Sequence, residues 1–235
     1  MRTAVLFSLA AATSLAGCVQ SSDNVEPKTE EDRTLYSMGV LLGTNLLPFE
    51  LTDKEMAMVK AGLQDAARDK AKIPQEEIDA VLPRIQALGD ERQAVAVEKQ
   101  KKAGAEQLEK AAAEPGAIRT ESGMVFRSIT EGTGNAPTET DIVVVHYEGR
   151  LVNGKVFDSS IERNEPAEFP LAGVIPCWTE GVQLMKVGGK AKLTCPPELA
   201  YGDMGRPPRM PGGATLTFDV ELLDIVGAPE GAPAQ

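Results

Sequence analysis

Val143-Val144-Val145-His146-Tyr147-Glu148-Gly149, followed by Phe157-Asp158-Ser159-Ser160, decides how the second half of this chain folds. Along it Val143, Val145 and Tyr147 fall on one face of an extended segment, and Val144, His146 and Glu148 on the other. The pattern repeats at Leu216, Phe218, Val220 and Leu222, with Thr217, Asp219 and Glu221 opposite. A period of two marks half-buried antiparallel strands. Ala191, Leu193 and Cys195 make a third such face. Between these strands Trp178, Val182 and Met185 recur at helical spacing, which predicts one short helix over 178–185. A single helix packed on an antiparallel sheet is an α+β domain.

Upstream the period changes, and residues 33–114 read as helix throughout. Leu35, Met38, Leu42 and Leu46 share a helical face. Thr52, with Glu55 three residues on, makes a capping box for a second helix running to about Lys70. Pro74 suits a first helical turn and is followed by Glu76 and Glu77, where the helix dipole favours acids. The third helix then extends to Ala113, a length of ~60 Å. Its apolar stripe is Ile78, Leu82, Ile85 and Leu88, with Pro83 as a point for a kink; past Arg92 only Val95, Val97 and Leu108 remain among Ala, Glu, Lys and Gln. A helix polar nearly all round is a spacer or is unstable alone. The preceding helices are too few to bury a core without a partner. The expectation is a helical dimerisation domain over 33–114, pairing through residues 33–90 and carrying a long arm; the alternative is a monomeric bundle folded back on itself. Pro115-Gly116 ends the arm, residues 115–226 form the sheet domain, and 227–235, rich in Gly, Pro and Ala, are expected to be disordered.

The first residues read as a targeting segment, 1–17: Arg2, then an apolar run from Ala4 to Ala16, shorter than the ~20 residues that span a bilayer. Leu15-Ala16-Gly17-Cys18 resembles a bacterial lipobox, which implies a lipid on Cys18 and attachment to a membrane. Val19 after it favours the outer membrane of a Gram-negative bacterium, facing the periplasm; the cell surface and the soluble periplasm are the alternatives. Residues 18–32 are polar and read as a tether. In such an oxidising compartment Cys177 and Cys195 form either a disulfide or two free thiols. The chain has no C-x-x-C, which argues against thiol redox chemistry.

Composition excludes further classes. The net charge is −11, with 12 basic and 17 acidic residues over 30–114 and 10 and 16 over 115–235. No basic stripe is present, so nucleic acid is not an expected partner. The one histidine, His146, lies on the strand face away from Tyr147. No His/Cys/carboxylate cluster has metal-ligand spacing, and the glycines at 188–189 and 212–213 fall in turns. Neither a metal nor a cofactor is expected. The aromatics carry the signal instead: Tyr147, Phe157, Phe169, Trp178, Tyr201 and Phe218 come from several strands, a loop and a helix. That is the inventory of a small sheet core or of an apolar ligand pocket.

The opening stretch is followed in order by Val174-Ile175-Pro176-Cys177-Trp178, Ala200-Tyr201-Gly202 and Phe218-Asp219-Val220-Glu221-Leu222-Leu223. With these blocks residues 117–226 resemble the FKBP-type peptidyl-prolyl cis-trans isomerase domain. The resemblance implies an antiparallel sheet wrapped on one short helix, and rotation about X-Pro bonds of exported or unfolded polypeptides. It implies a catalytic pocket of Tyr147, Phe157, Asp158, Trp178, Tyr201 and Phe218, with Phe169, Val174, Ile175 and Met210 binding substrate. Trp178 would be the floor, the Ile175 N–H and Tyr201 hydroxyl would hold substrate carbonyls, and Asp158 would stand at the rim. FK506-like macrolides are the implied inhibitors. Two places depart from the commonest pattern: the loop Arg206-Pro207-Pro208-Arg209-Met210-Pro211, and Cys177 where many relatives have Gly. The helical half, with Tyr36-Ser37-Met38-Gly39, resembles the macrophage-infectivity-potentiator type, a dimeric lipoprotein whose arms carry two isomerase domains. The expected function is isomerisation with chaperone activity; the alternative is a non-enzymatic holdase or peptide-binding module.

Overall fold

The computed structural model describes residues 25–227, so the targeting segment, Cys18 and the tail beyond Gly227 lie outside the described residues. Two compact units divide between Gly43 and Thr44. The first holds nearly all of helix α1 (Glu30–Thr44). This helix begins at Glu30, inside the expected tether, because Thr29 and Asp32 cap it reciprocally. The Asp32 N–H donates to Thr29 Oγ1 (3.0 Å) and the Thr29 N–H to Asp32 Oδ2 (2.9 Å). Glu30, Glu31 and Asp32 then fill the first turn. No residue of α1 is buried.

The second unit opens with a 3-10 turn, Leu47–Phe49, then α2 (Asp53–Ala66) and α3 (Gln75–Ala112). The predicted capping box starts α2: Glu55 N–H donates to Thr52 Oγ1 and Thr52 N–H to Glu55 Oε2. This helix stops at Ala66 rather than near Lys70, where Asp69 turns left-handed (φ 55°) and the Lys70 N–H closes back on the Asp65 carbonyl (2.9 Å). Glu55 has a second task. Arg92 of α3 donates to its carboxylate (2.5 Å) and to the Phe49 carbonyl (2.7 Å), tying α3 to both preceding elements. That hydrogen bond, ahead of the cap, brings the Glu55 carboxyl down to about 2.

Helix α3 runs unbroken through Pro83 for 38 residues, ~57 Å. Its buried residues are Val97, Gly104 and Ala111, seven apart and so on one face. This differs from the expected free arm: the polar second half lies along the sheet domain. Small residues allow the approach, since a Cβ on Gly104 would stand 2.1 Å from Thr215 Oγ1. Ion pairs Lys101–Asp203, Glu109–Arg119 and Glu114–Arg127 flank the seam. The seam carries little apolar area, which is why hydrophobic periodicity missed it.

Seven antiparallel strands follow: β1 (Ala117–Arg119), β2 (Val125–Thr130), β3 (Ile142–Leu151), β4 (Val156–Ser159), β5 (Ala167–Pro170), β6 (Lys190–Cys195) and β7 (Leu216–Val226). The sheet order is β1-β2-β6-β7-β3-β4, with β5 also beside β3. Alternation is as predicted: Val143, Val145 and Tyr147 of β3 and Leu216, Phe218, Val220 and Leu222 of β7 are buried. Helix α4 (Pro176–Gln183) sets Trp178 and Val182 into that core, joined by Met185 just past its end. Cys177 on α4 and Cys195 on β6 are joined by a disulfide (Cα–Cα 5.7 Å), and both are buried. Closing that loop stabilises the fold by ~3 kcal/mol on loop-entropy grounds. Strand β5 pairs with the first half of β3 and β4 with the second. Phe169 and the Phe157-Asp158 pair therefore arrive on either side of Tyr147. Among the described residues no helix is long and apolar enough to cross a membrane.

Candidate active site

Tyr147 from β3, Phe157 and Asp158 from β4, Phe169 from β5, Val174, Ile175 and Trp178 around the start of α4, Tyr201 from a loop, and Phe218 from β7 surround one cavity of ≈ 560 Å³. Gly173, Pro176 and Arg206 complete its lining. Of the ten residues expected to form the pocket, Met210 stays apart. It is buried in the core behind the loop, and Arg206 of the same loop lines the cavity.

The walls hold each other. The Trp178 ring meets Tyr147 (centroids 5.2 Å), Phe218 (5.4 Å) and Phe169 (5.6 Å), each nearly perpendicular. Phe157 meets Phe218 edge-on at 5.6 Å. Such pairs contribute ~0.5–1.5 kcal/mol beyond burial and fix ring orientation. Phe157 and Phe218 can reach this position because Gly149 has no side chain: a Cβ there would lie 2.5 Å from Phe157 Cζ and 2.9 Å from Phe218 Cε1. Trp178 is 4% exposed, and its Nε1–H has no protein acceptor among the described residues. Ile175 is the N-cap of α4, with extended backbone; its carbonyl accepts from the Trp178 N–H (2.9 Å) and Pro176 fills the first turn.

Asp158 is the polar group of the rim. Its Oδ2 accepts from the Tyr147 hydroxyl (2.6 Å) and its Oδ1 from Arg163 (2.5 Å), while Arg163 also donates to the Tyr147 oxygen (3.0 Å). The Arg163 guanidinium stands 5.7 Å from the Tyr147 ring centre. Burial pushes the Asp158 carboxyl up, but the hydrogen bonds from Tyr147 and Arg163 and the Arg163 charge outweigh it and hold the group below its ordinary value. Burial, then the bond to Asp158, raises Tyr147. The arrangement is a fixed anion with a neutral phenol, both oriented by one cation. Arg163 carries no sequence signal: it sits in the turn after β4, where neither alternation nor helical spacing marks it.

A depressed carboxyl pKa stabilises the fold above the unfolded value of ~3.9, and that contribution is lost as pH falls through the lower folded value. With the side chain 41% exposed, solvent screening keeps the stability effect small. If the charge of Asp158 serves the activity expected from the sequence, turnover of a proline peptide should be level from roughly pH 8 to 5 and fall only below the ordinary carboxylate range. His146, the one histidine of the chain, takes no part in this arrangement. That residue points elsewhere: its Nδ1 meets Ser160 Oγ (3.1 Å), which in turn accepts from the Tyr147 N–H (2.8 Å).

A family model for FKBP-type peptidyl-prolyl cis-trans isomerase matches residues 133–223, and one for the domain amino-terminal to FKBP-type peptidyl-prolyl isomerase matches 31–127. The chain is 41% identical over 214 residues to the FKBP-type peptidyl-prolyl cis-trans isomerase FkpA of Escherichia coli strain K12, spanning 86% of this chain and 78% of that one. It is also 41% identical over 199 residues to the FKBP-type 22 kDa peptidyl-prolyl cis-trans isomerase of that strain, spanning 84% and 97%. The crystal structure of FkpA from Escherichia coli superposes with a TM-score of 0.67 at 40% identity, covering 86% of this chain and 99% of that chain.

Proposed function

The chain belongs to the FKBP-type peptidyl-prolyl cis-trans isomerases and is such an enzyme, and we propose that it turns X-Pro bonds of exported polypeptides with the proline seated in the aromatic cavity. The observation that carries this reading is the meeting of Tyr147, Phe157, Trp178, Tyr201 and Phe218 around one space with a single fixed anion, Asp158, at its edge. Amide resonance resists rotation by ~18–20 kcal/mol. Twisting the bond removes that resonance and makes the carbonyl–nitrogen unit less polar. An apolar cavity therefore favours the twisted form over the planar one, and hydrogen bonds that fit only the twisted form add to the effect. In this reading Trp178 is the floor and Phe157, Phe169, Val174 and Phe218 are the walls. The Ile175 N–H and Tyr201 hydroxyl take substrate carbonyls, and the Asp158 charge lies beside the rotating amide. Rotation transfers no proton, which suits a carboxylate engaged on both oxygens. FK506-like macrolides would compete for the same cavity.

The helical half belongs to the same proposal. Residues 33–114 act as a dimerisation domain and 115–226 as the isomerase domain, with pairing through residues 33–90. Support comes from apolar side chains left exposed: Leu35 (56%), Met38 (57%) and Leu42 (51%) in the first unit, and Met58 (73%) and Leu82 (63%) in the second. A dimer of the macrophage-infectivity-potentiator type, holding unfolded clients between its arms, would add chaperone activity. Leu15-Ala16-Gly17-Cys18 supports a lipid on Cys18 and an outer-membrane site facing the periplasm.

Isomerisation of an X-Pro peptide, followed without a coupling protease, and suppression of client aggregation separate these activities. The wild type should show both and be a dimer in solution. Met58→Glu with Leu82→Glu should yield monomers that keep peptide isomerisation within about twofold and lose aggregation suppression. Wild-type protein that prevents aggregation but does not speed isomerisation would favour the holdase alternative.

A further inference from the structure

Helix α3 touches the loop that closes the cavity, and the contact is built with little tolerance. Val97 is 8% exposed. A Cβ on Gly212 would lie 2.9 Å from Val97 Cγ2, and one on Gly213 (φ 69°) 2.9 Å from the Val97 carbonyl oxygen. The backbone at 212–213 thus passes directly against the helix, and glycine at 212 is required within the loop as well, where a Cβ would meet the Asp203 carbonyl oxygen. One turn on, Lys101 Nζ bonds the Asp203 carboxylate at 2.8 Å. The next turn brings Gly104 against Thr215, the residue that leads into β7.

The other side of this loop is the cavity. Residues 202–213 form a closed hoop: the Gly213 N–H donates to the Gly202 carbonyl (2.9 Å), Gly205 to Tyr201 (3.0 Å), and Arg206 and Met210 exchange both backbone bonds (2.9 and 3.0 Å). Met210 plugs the hoop into the core. Tyr201 at its foot and Arg206 on it both line the cavity, with the guanidinium 5.4 Å from the Tyr201 ring centre. A hoop clamped by Met210 on one side and by α3 on the other has few ways to move without carrying these two side chains along.

We infer that Val97, Lys101 and Gly104 of α3 are positioning residues of the isomerase: they hold the 202–213 hoop so that Tyr201 and Arg206 face the substrate. The inference rests on the reading that proline binds in this cavity. It makes the element joining the two halves part of the active site's support.

The test uses full-length protein. Val97→Ala with Lys101→Met removes both grips, and Lys101→Met alone is a surface change that leaves the fold intact. The double variant should lose about five- to tenfold in kcat/KM on an X-Pro peptide, and Lys101→Arg should keep wild-type activity. In a Tyr201→Phe, Arg206→Ala background the same arm changes should cost less than about twofold, because they act through those two residues. A role in stability alone would lower the melting temperature and leave kcat/KM of the folded protein unchanged. Folded arm variants with wild-type kcat/KM, or losses that simply add in the Tyr201→Phe, Arg206→Ala background, overturn the inference. Phe157→Ala, run alongside, distinguishes the two failures. If it loses activity while the arm variants do not, only the positioning role falls; if it too is unchanged, the cavity reading falls and takes this one with it.

Discussion

Phe157→Ala and Asp158→Leu should each cut kcat/KM for prolyl isomerisation by about a hundredfold while the sheet domain stays folded. Phe157 is half-buried and meets Phe218 edge-on, so its loss opens one wall to water and removes the ring that orients another. The fold survives because the core proper lies beneath, in Val143, Val145, Leu193, Leu216 and Leu222. Asp158→Leu keeps approximate size but removes the anion, leaving the Tyr147 hydroxyl and Arg163 without their acceptor. Asp158→Asn separates the two effects. It preserves an acceptor for Tyr147 but not the charge, and should recover less than about a tenth of the lost rate if the field at the amide matters. Circular dichroism and thermal melting alongside the rates show whether loss of fold accounts for any loss of activity.

Gly149→Val should be nearly as damaging, though residue 149 need not touch substrate. The new side chain would overlap Phe157 and Phe218, and both rings would have to move. Overpacking of this kind costs ~1–3 kcal/mol, and ring displacement of about 1 Å costs a hundredfold in rate. The effect should be conditional: Gly149→Ala should cost less in a Phe157→Ala background than in the wild type, because one of the two rings it collides with is gone and only Phe218 remains. Additive losses in that double variant would mean that Gly149 acts through the β3 backbone instead.

What could be read from the sequence had a periodic or ordered signal. Alternation at 143–147 and 216–222 marked the two central strands and their buried faces. The aromatic blocks, kept in order, marked residues that gather at one cavity although they are far apart in the chain. What escaped depends on three-dimensional closeness without a pattern. Arg163 reaches Asp158 and Tyr147 from an irregular turn. Gly104 and Gly149 matter for the side chain they lack. Met210, expected at the substrate, is packed in the core, while Arg206 of the same hoop lines the cavity. The start of α1 moved to Glu30 because Asp32 rather than Glu or Gln closes its capping pair.

The central claim, that the substrate proline sits over Trp178, has a direct measurement. The chain has one tryptophan, so its indole signals are assigned without ambiguity. Nuclear Overhauser effects should be recorded between a proline-containing peptide and full-length protein under exchange. The account predicts cross-peaks from the proline ring protons to the Trp178 indole and to the Phe157 and Phe218 rings, lost in Phe157→Ala. Cross-peaks confined to residues of the helical half, with none to Trp178, would contradict it.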